Sequence, residues 1–393
     1  MDYTQQPLIF RLKKALRYAR LYGPRRTWCK VMGQYHMKRA YAVLPPKRPR
    51  LGSQSNVAVI GCGNFAFSTI AFYLKKKFGH VLRAAMDIDA NRAASLFEAY
   101  SLEYWTTDFS EILRDDAIRL CYIASNHASH AEYAISALRA GKAVHIEKPH
   151  VVNEDQLLRL CDAMHETQGR VALGFNRPNS RIGQKIAEYL GREHGPVMMN
   201  WFVAGHEIPA DHWYFRAEEG GRVLGNLCHW TDFVYHLVPE EKRFPITITP
   251  TQAEKSDCDI AVTYLFGDGS IAAITFSAKG HTFEGVRERF AAHKGNVLIS
   301  MDDFGSLRID VADKTFDFSR LFRDHGHEQR IVRSYDLVRL PFEAGSSSSV
   351  KYVWETGMLF LKTREALESK LAVTISSYPE VKPGNPAAVV QCF

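Results

Sequence analysis

Three short stretches carry residue types suited to redox chemistry on a bound dinucleotide. Gly61-Cys62-Gly63-Asn64-Phe65-Ala66 reads GxGxxA, directly after the apolar run Val57–Ile60 and directly before a helical pattern. In that context Gly61 permits a tight turn, Gly63 lets backbone approach a diphosphate, and Ala66 lets helix pack on strand. The first turn, with Asn64 and Phe65, supplies free N–H groups and a positive dipole end. Asp87 ends the next apolar run, 24 residues after Gly63. An acid there binds the ribose hydroxyls of NAD and repels the 2′-phosphate of NADP. The competing reading is a helix-capping loop acid, a role open to Asp89, and Arg92 nearby keeps NADP possible. The third stretch, Ala143-Val144-His145-Ile146-Glu147-Lys148-Pro149, is an apolar run ending in Glu-Lys-Pro. In an open α/β sheet a ligand sits beyond the carboxyl ends of the strands. Lys148 would there stabilise a developing alkoxide; by charge alone it would be an ordinary surface lysine.

The elements that position these residues alternate. Strands are expected at 57–60, 81–86, 120–124 and 143–146, with a helix over 65–77, which implies a parallel sheet with right-handed crossovers. After about residue 196 the strands look antiparallel. Residues 259–266, Gly267-Asp268-Gly269 and 270–277 form a hairpin pattern. Ser346–Ser349 reads as a loop and 352–371 as a last helix. The expected fold is therefore α/β: an N-terminal doubly wound (Rossmann) domain, then an α+β domain with a large open antiparallel sheet. The boundaries are 1–50 for a basic arm and Pro linker, 51–175 for the dinucleotide domain and 176–393 for the second domain.

Charge is unevenly spread over the 393 residues. The net charge is +7, yet residues 1–50 hold 13 Lys/Arg and one acid, Asp2, while the remainder sums to −5. The basic character belongs to the arm, so the body does not read as a nucleic-acid binder. Leu8, Leu12, Ala15, Leu16 and Ala19 fall at helical spacing over 8–22, with Arg11, Lys14 and Arg17 on other faces. Gly23-Pro24 ends that helix, a second basic amphipathic stretch covers 28–41, and Pro45, Pro46 and Pro49 make a stiff linker. The arm packs on the body or another subunit, lies on an anionic membrane surface, or serves as a targeting segment. Its deletion is expected to leave the fold intact. Seven scattered cysteines without a CxxC pair (Cys29, Cys62, Cys121, Cys161, Cys228, Cys258, Cys392) suggest reduced thiols and a cytoplasmic protein, peripheral to a membrane at most. No metal site is expected, because His206, His212 and His229 lack ligand spacing, and no apolar run is long enough to span a bilayer.

Together GCGNFA, MDID, ASNHASH, AGKAVHIEKP, GFNRPNS and EEGGRVLGNLCHWTDF make the chain resemble the Gfo/Idh/MocA family (glucose-fructose oxidoreductase, inositol dehydrogenase, rhizopine catabolism) over about residues 56–310. The resemblance implies NAD(P)-dependent oxidation or reduction of a sugar, cyclitol or nucleotide sugar, and a homo-oligomer (dimer or tetramer) assembled through the open sheet face. It implies that Lys148 is the active-site lysine and that His229 accepts or donates the proton; Asp232, on the substrate side, either orients that ring or, at i+3 on a helix, is structural. It places Ser125, Asn126, His130 and Glu147 beside the cofactor, and Asn176 and Arg177 at the cleft. Asp211, His212 and Trp213 are placed near the substrate. One departure stands out. Many members carry an Asp four residues before that His; here the position is Gly225, with Asn226 next to it. Asn cannot accept a proton, so Asn226 joins Lys148 and His229 as a catalytic candidate in an altered relay. The alternative is a non-catalytic, cofactor-binding regulator or scaffold.

Overall fold

The computed structural model describes residues 3–47, 54–252, 259–280, 283, 285–341 and 347–378; Pro49, Cys258, Cys392 and Ser346 lie outside them. Six parallel strands form the first sheet: β1 (Val57–Ile60), β2 (Leu82–Met86), β3 (Tyr104–Thr106), β4 (Leu120–Ile123), β5 (Ala143–Ile146) and β6 (Val171–Leu173), in the order β3-β2-β1-β4-β5-β6. Strands β1, β4 and β5 are buried on both faces, which is why their sequences are continuous apolar runs. The two strands not expected from sequence, β3 and β6, have three residues each, too few to leave a pattern. The expected helix over 65–77 begins instead as a π-helical segment, Ala66–Ala71, and continues as an α-helix, Phe72–Phe78.

The second sheet has nine strands: β7 (Met198–His206), β8 (Ile246–Gln252), β9 (Asp259–Leu265), β10 (Ile271–Gly280), β11 (Arg287–Lys294), β12 (Val297–Asp302), β13 (Ser306–Val311), β14 (Lys314–Ser319) and β15 (Val373–Ile375), ordered β14-β13-β12-β11-β7-β10-β9-β8-β15. Alternate residues are buried along β7, β11 and β12, the signature of a sheet covered on one side. The covering helices include Cys228–Leu237 and Val350–Ser369. The other side carries exposed Met198, Phe202, Leu298 and Phe316. One expectation is corrected here: β10 runs parallel to β7, with Ile271 opposite Met198. The helix Cys228–Leu237 carries the chain back before β8, so the β9–β10 hairpin returns alongside β7 in the same sense.

The arm is a helical hairpin, α1 (Leu8–Tyr22) and α2 (Pro24–His36), turned at Gly23 with φ +84°. The second helix ends at His36 rather than Tyr41. Both imidazole nitrogens of buried His36 are engaged, one with the Cys62 carbonyl at 2.6 Å and one with Ser95 Oγ at 2.9 Å. The ring also stacks on Phe67 at 4.4 Å. Beyond α2, Tyr41 N–H donates to Asn91, and the Trp105 indole donates to the Pro45 carbonyl. The linker is thus pinned to the first domain, and the arm is not the separable piece that the sequence suggests. Helix α1 turns Ala15, Tyr18, Leu21 and Tyr22 toward the body. Leu8, Leu12 and Leu16 are exposed, while Lys14 and Arg17 line a cavity against the body.

Candidate functional site

The glycine turn follows β1 as the spacing predicts. At Gly61 φ is +82°, and a β-carbon there would lie 2.5 Å from Ser125 backbone atoms, so only glycine fits. Around Gly63 a β-carbon would meet nothing within 4 Å; the backbone faces open space of the kind a diphosphate needs. Cys62 N–H donates to Asp87 Oδ2 at 2.6 Å, and Asp89 N–H to Asp87 Oδ1 at 2.9 Å. A carboxylate has about four acceptor positions, so buried Asp87 keeps capacity for two ribose hydroxyls. Asp89 caps the helix Ala90–Tyr100, which separates the two roles that the sequence left open. Ala66 is fully buried, and Asn64 accepts from Ser68 and Lys30. The Phe65 ring lies 5.8 Å from that of His327. These features fit an NAD dinucleotide: an open glycine cradle and a carboxylate at the end of β2.

At the ends of β4 and β5 the chain builds the floor of the cleft. Ser125 Oγ lies 2.7 Å from Ser129 Oγ, and the Asn126 amide donates to Glu219 Oε1 at 2.6 Å. Glu219, buried and unforeseen from sequence, also accepts from Ala128 N–H at 3.2 Å. It places a carboxylate at the N-terminus of helix His127–Arg139, where the helix dipole favours it. His130 is buried with its nitrogens on the Pro149 and Ser125 carbonyls, so it braces the turn holding Lys148. Glu147 is buried and accepts from His145 at 3.1 Å.

Lys148 Nζ donates to the Gly225 carbonyl at 2.5 Å, which joins the two halves of the cleft. Burial holds its pKa below the ordinary lysine value, with Cys228 and Glu147 opposing. Burial and then Arg177 and Lys148 push His229 well below the ordinary histidine value, so its imidazole is neutral at pH 7. Two buried atoms here have no hydrogen-bond partner: His229 Nδ1 and Asn226 Oδ1. Unsatisfied buried polar atoms are costly and mark a place for a ligand.

Several expected roles are corrected. Asp232 does not orient His229; it accepts from the Tyr352 hydroxyl at 2.6 Å and sits 3.4 Å from His236. On a helix, i and i+3 side chains are neighbours, but Val350–Ser369 packs there and captures the carboxylate. Arg177 is buried in a two-pronged pair with Glu288 and lies over Trp230, close enough to His229 and Lys148 to lower the pKa of both. Asn176 donates to the His325 carbonyl at 2.6 Å and lies beside His327. Asp211 is exposed, His212 caps the short helix Trp213–Phe215, and Trp213 packs edge-on against His127 at 5.0 Å.

The residue that sequence reasoning missed is Tyr214, one position beyond that group. A β-carbon on Gly225 would lie 2.1 Å from the Tyr214 hydroxyl oxygen. The phenol thus fills the space into which a side chain at 225 would project. The missing carboxylate was legible; the residue standing in its place, eleven positions away, was not.

The chain is similar to known proteins in its first domain and in its fold. Residues 55–175 match the family model for oxidoreductases with an NAD-binding Rossmann fold, GFO_IDH_MocA. The chain is 32% identical over 140 residues to Oxidoreductase P35 of Formosa agariphila, covering 35% of this chain but only 43% of that protein. It is 24% identical over 295 residues to a scyllo-inositol 2-dehydrogenase (NAD(+)) of Bacillus subtilis, covering 70% and 82% of the two chains. The fold is shared with levoglucosan dehydrogenase in complex with NADH and levoglucosan, at TM-score 0.69 and 17% identity over 82% of this chain and 99% of that one. Residues 55–175 of the chain thus carry the NAD-binding Rossmann fold of the Gfo/Idh/MocA oxidoreductase family model.

Proposed function

We propose that this protein is an NAD-dependent oxidoreductase acting on a secondary hydroxyl or ketone of a sugar, cyclitol or nucleotide sugar. The observation that carries this reading is the pair of unpartnered buried atoms, His229 Nδ1 and Asn226 Oδ1, beside Lys148. Nicotinamide, when bound, supplies or takes the hydride. Lys148, a cation at the end of β5, stabilises negative charge on the substrate oxygen. Neutral His229 takes or returns the hydroxyl proton. Asn226 receives a neighbouring hydroxyl as acceptor. Tyr214 fills the space beside Gly225, where the family resemblance implies a carboxylate, and completes the relay with an ionisable phenol. Tyr214→Phe keeps the ring and is expected to lower kcat about 30-fold with KM little changed; steady-state kinetics with unaltered turnover would remove Tyr214 from the relay.

The test of the reading is the absorbance and fluorescence of the full chain with NAD near the reduced-nicotinamide band. A panel of sugars, cyclitols and UDP- and GDP-sugars is then added. Reduction by one of them supports it; tight NAD binding with no redox change under any of them supports the regulator reading instead. In functional terms, 1–50 is the arm, 51–175 the cofactor segment and 176–393 the substrate and assembly segment, with the exposed face of the second sheet as the assembly surface.

The outer face of the arm supports peripheral contact with an anionic bilayer. Leu8, Ile9, Leu12, Leu16, Trp28, Met32 and Tyr35 are exposed there with Lys13, Arg20 and Arg25 around them, the composition of an interfacial helix. Among the described residues no helix is long and apolar enough to cross a membrane. Co-sedimentation with phosphatidylglycerol vesicles but not phosphatidylcholine vesicles is expected, and Leu12→Glu/Leu16→Glu should weaken it about tenfold. Absence of sedimentation with the anionic vesicles would overturn this contact.

A further inference from the structure

Helix α2 of the arm lies along the helix that begins at the glycine turn. Its residues Cys29, Gly33 and His36, at i, i+4 and i+7, are buried there. A β-carbon on Gly33 would lie 3.3 Å from both Asn64 Oδ1 and Ser68 Cβ. Glycine weakens a helix interior; here it lets α2 touch the first turn after Gly63. Around that contact His36 donates to the Cys62 carbonyl at 2.6 Å, and Arg26 donates to Thr69 Oγ1 at 2.8 Å. Between them Lys30 Nζ donates to Asn64 Oδ1 at 3.2 Å. An ammonium has three N–H donors. Lys30 is partly buried, and among the described residues Asn64 is its one hydrogen-bond partner. Burial, then Arg26, lowers its pKa to about 8, which leaves it a cation at pH 7.

In a Rossmann fold the dinucleotide's diphosphate meets the free N–H groups of the turn that follows the first strand. Gly63 faces open space, and Asn64 is the next residue. Lys30 therefore sets a positive charge beside the turn that receives the anion. It comes from a segment outside residues 55–175, so the glycine motif gives no sign of it. A second segment from outside closes on the same turn. The His327 ring lies 5.8 Å from Phe65, and burial, then nearby cations that include Lys30, lower its pKa. We infer that Lys30 is a further cofactor-binding residue, an ammonium that the arm supplies to the diphosphate of the bound dinucleotide. The alternative is that Lys30 only orients the Asn64 side chain. The inference rests on the NAD-binding fold of residues 55–175 and not on the choice of sugar substrate.

The experiment titrates NAD and ADP-ribose calorimetrically into the full chain at low and high salt. Lys30→Gln keeps an N–H donor for Asn64 and removes the charge, whereas Lys30→Arg keeps both. Lys30→Gln is expected to raise the Kd of NAD about tenfold and that of ADP-ribose by the same factor. It should also flatten the salt dependence of both. Lys30→Arg should stay within about threefold of wild type. A Kd for NAD within about twofold of wild type in Lys30→Gln would overturn the inference. So would a loss confined to NAD, which places Lys30 at the nicotinamide end. An equal loss in Lys30→Arg would overturn it too, because orientation of Asn64 would then be the role. Should Lys30→Gln fail to fold, Lys30→Met serves with the same readouts. Turnover plays no part in the titration. A chain that binds NAD through Lys30 and oxidises no sugar keeps this inference and loses the dehydrogenase reading; a wild type that binds no NAD overturns both.

Discussion

Lys148→Met is expected to cut kcat by about 10³-fold while NAD affinity stays within a few fold. Removing one charge-stabilising donor in a water-poor site costs 10²–10³ in turnover, and Lys148 is both the buried cation at the strand end and the link to Gly225. Met retains the aliphatic stem and packs in the same slot, so the loss reads on charge rather than on fold. Fluorescence titration with NADH and single-turnover kinetics separate binding from chemistry. Turnover within threefold of wild type would move the charge-stabilising role elsewhere. A loss of NADH binding equal to the loss of kcat would make Lys148 a cofactor contact rather than a catalytic residue.

A steep loss of stability below neutral pH is the second large effect. His127, His130, His145 and His150 are all buried at 4% exposure or less. Burial lowers each of their pKa values, that of His127 to about 2 and that of His150 to about 4. In the unfolded chain each titrates near 6.5. The folded pKa lies below the unfolded one, so the unfolded state binds protons first as pH falls, and stability drops progressively below about pH 6.5. At one unit below the unfolded pKa each neutral histidine costs about 1.4 kcal/mol. His127 and His150 together cost about 3 kcal/mol at pH 5.5, a large fraction of the stability of a typical domain, and His130 and His145 act in the same direction. Buried Glu355, whose pKa is raised by burial, acts in the opposite sense, but in a lower window that starts near the carboxylate range. The thermal midpoint measured from pH 8 to pH 5 should therefore fall sharply between 6.5 and 5.5. A midpoint flat to pH 5 would mean that these histidines are charged in the folded protein.

Where the signal was local, the sequence was enough. GxGxxA after an apolar strand fixes the turn, the open ground at Gly63 and the position of Asp87, because turn, cradle and ribose acid lie on consecutive elements at set spacing. The strands buried on both faces announced themselves as VAVI, LCYI and AVHI. The lysine at the end of β5 was likewise legible, since a strand's end and its register are properties of one short segment. The loss of a carboxylate at Gly225 could be seen from a single position.

Contacts between distant segments were decided only by the tertiary structure. Asp232 faces Tyr352, 120 positions away, rather than His229 three positions back, because a packed helix offers a hydroxyl at 2.6 Å. Arg177 pairs with Glu288, 111 positions away, since a buried guanidinium needs a carboxylate and β11 supplies it. Tyr214 occupies the space above Gly225 although nothing in its neighbourhood marks it. The arm is the largest case. Its charge and its leucines were plain in the sequence, but helical spacing is symmetric about which face turns inward. His36 on Cys62, Lys30 on Asn64 and the extended contacts to Asn91 and Trp105 set that orientation. They turn Lys14, Arg17 and Leu21 toward the body and Leu8, Leu12 and Leu16 toward solvent.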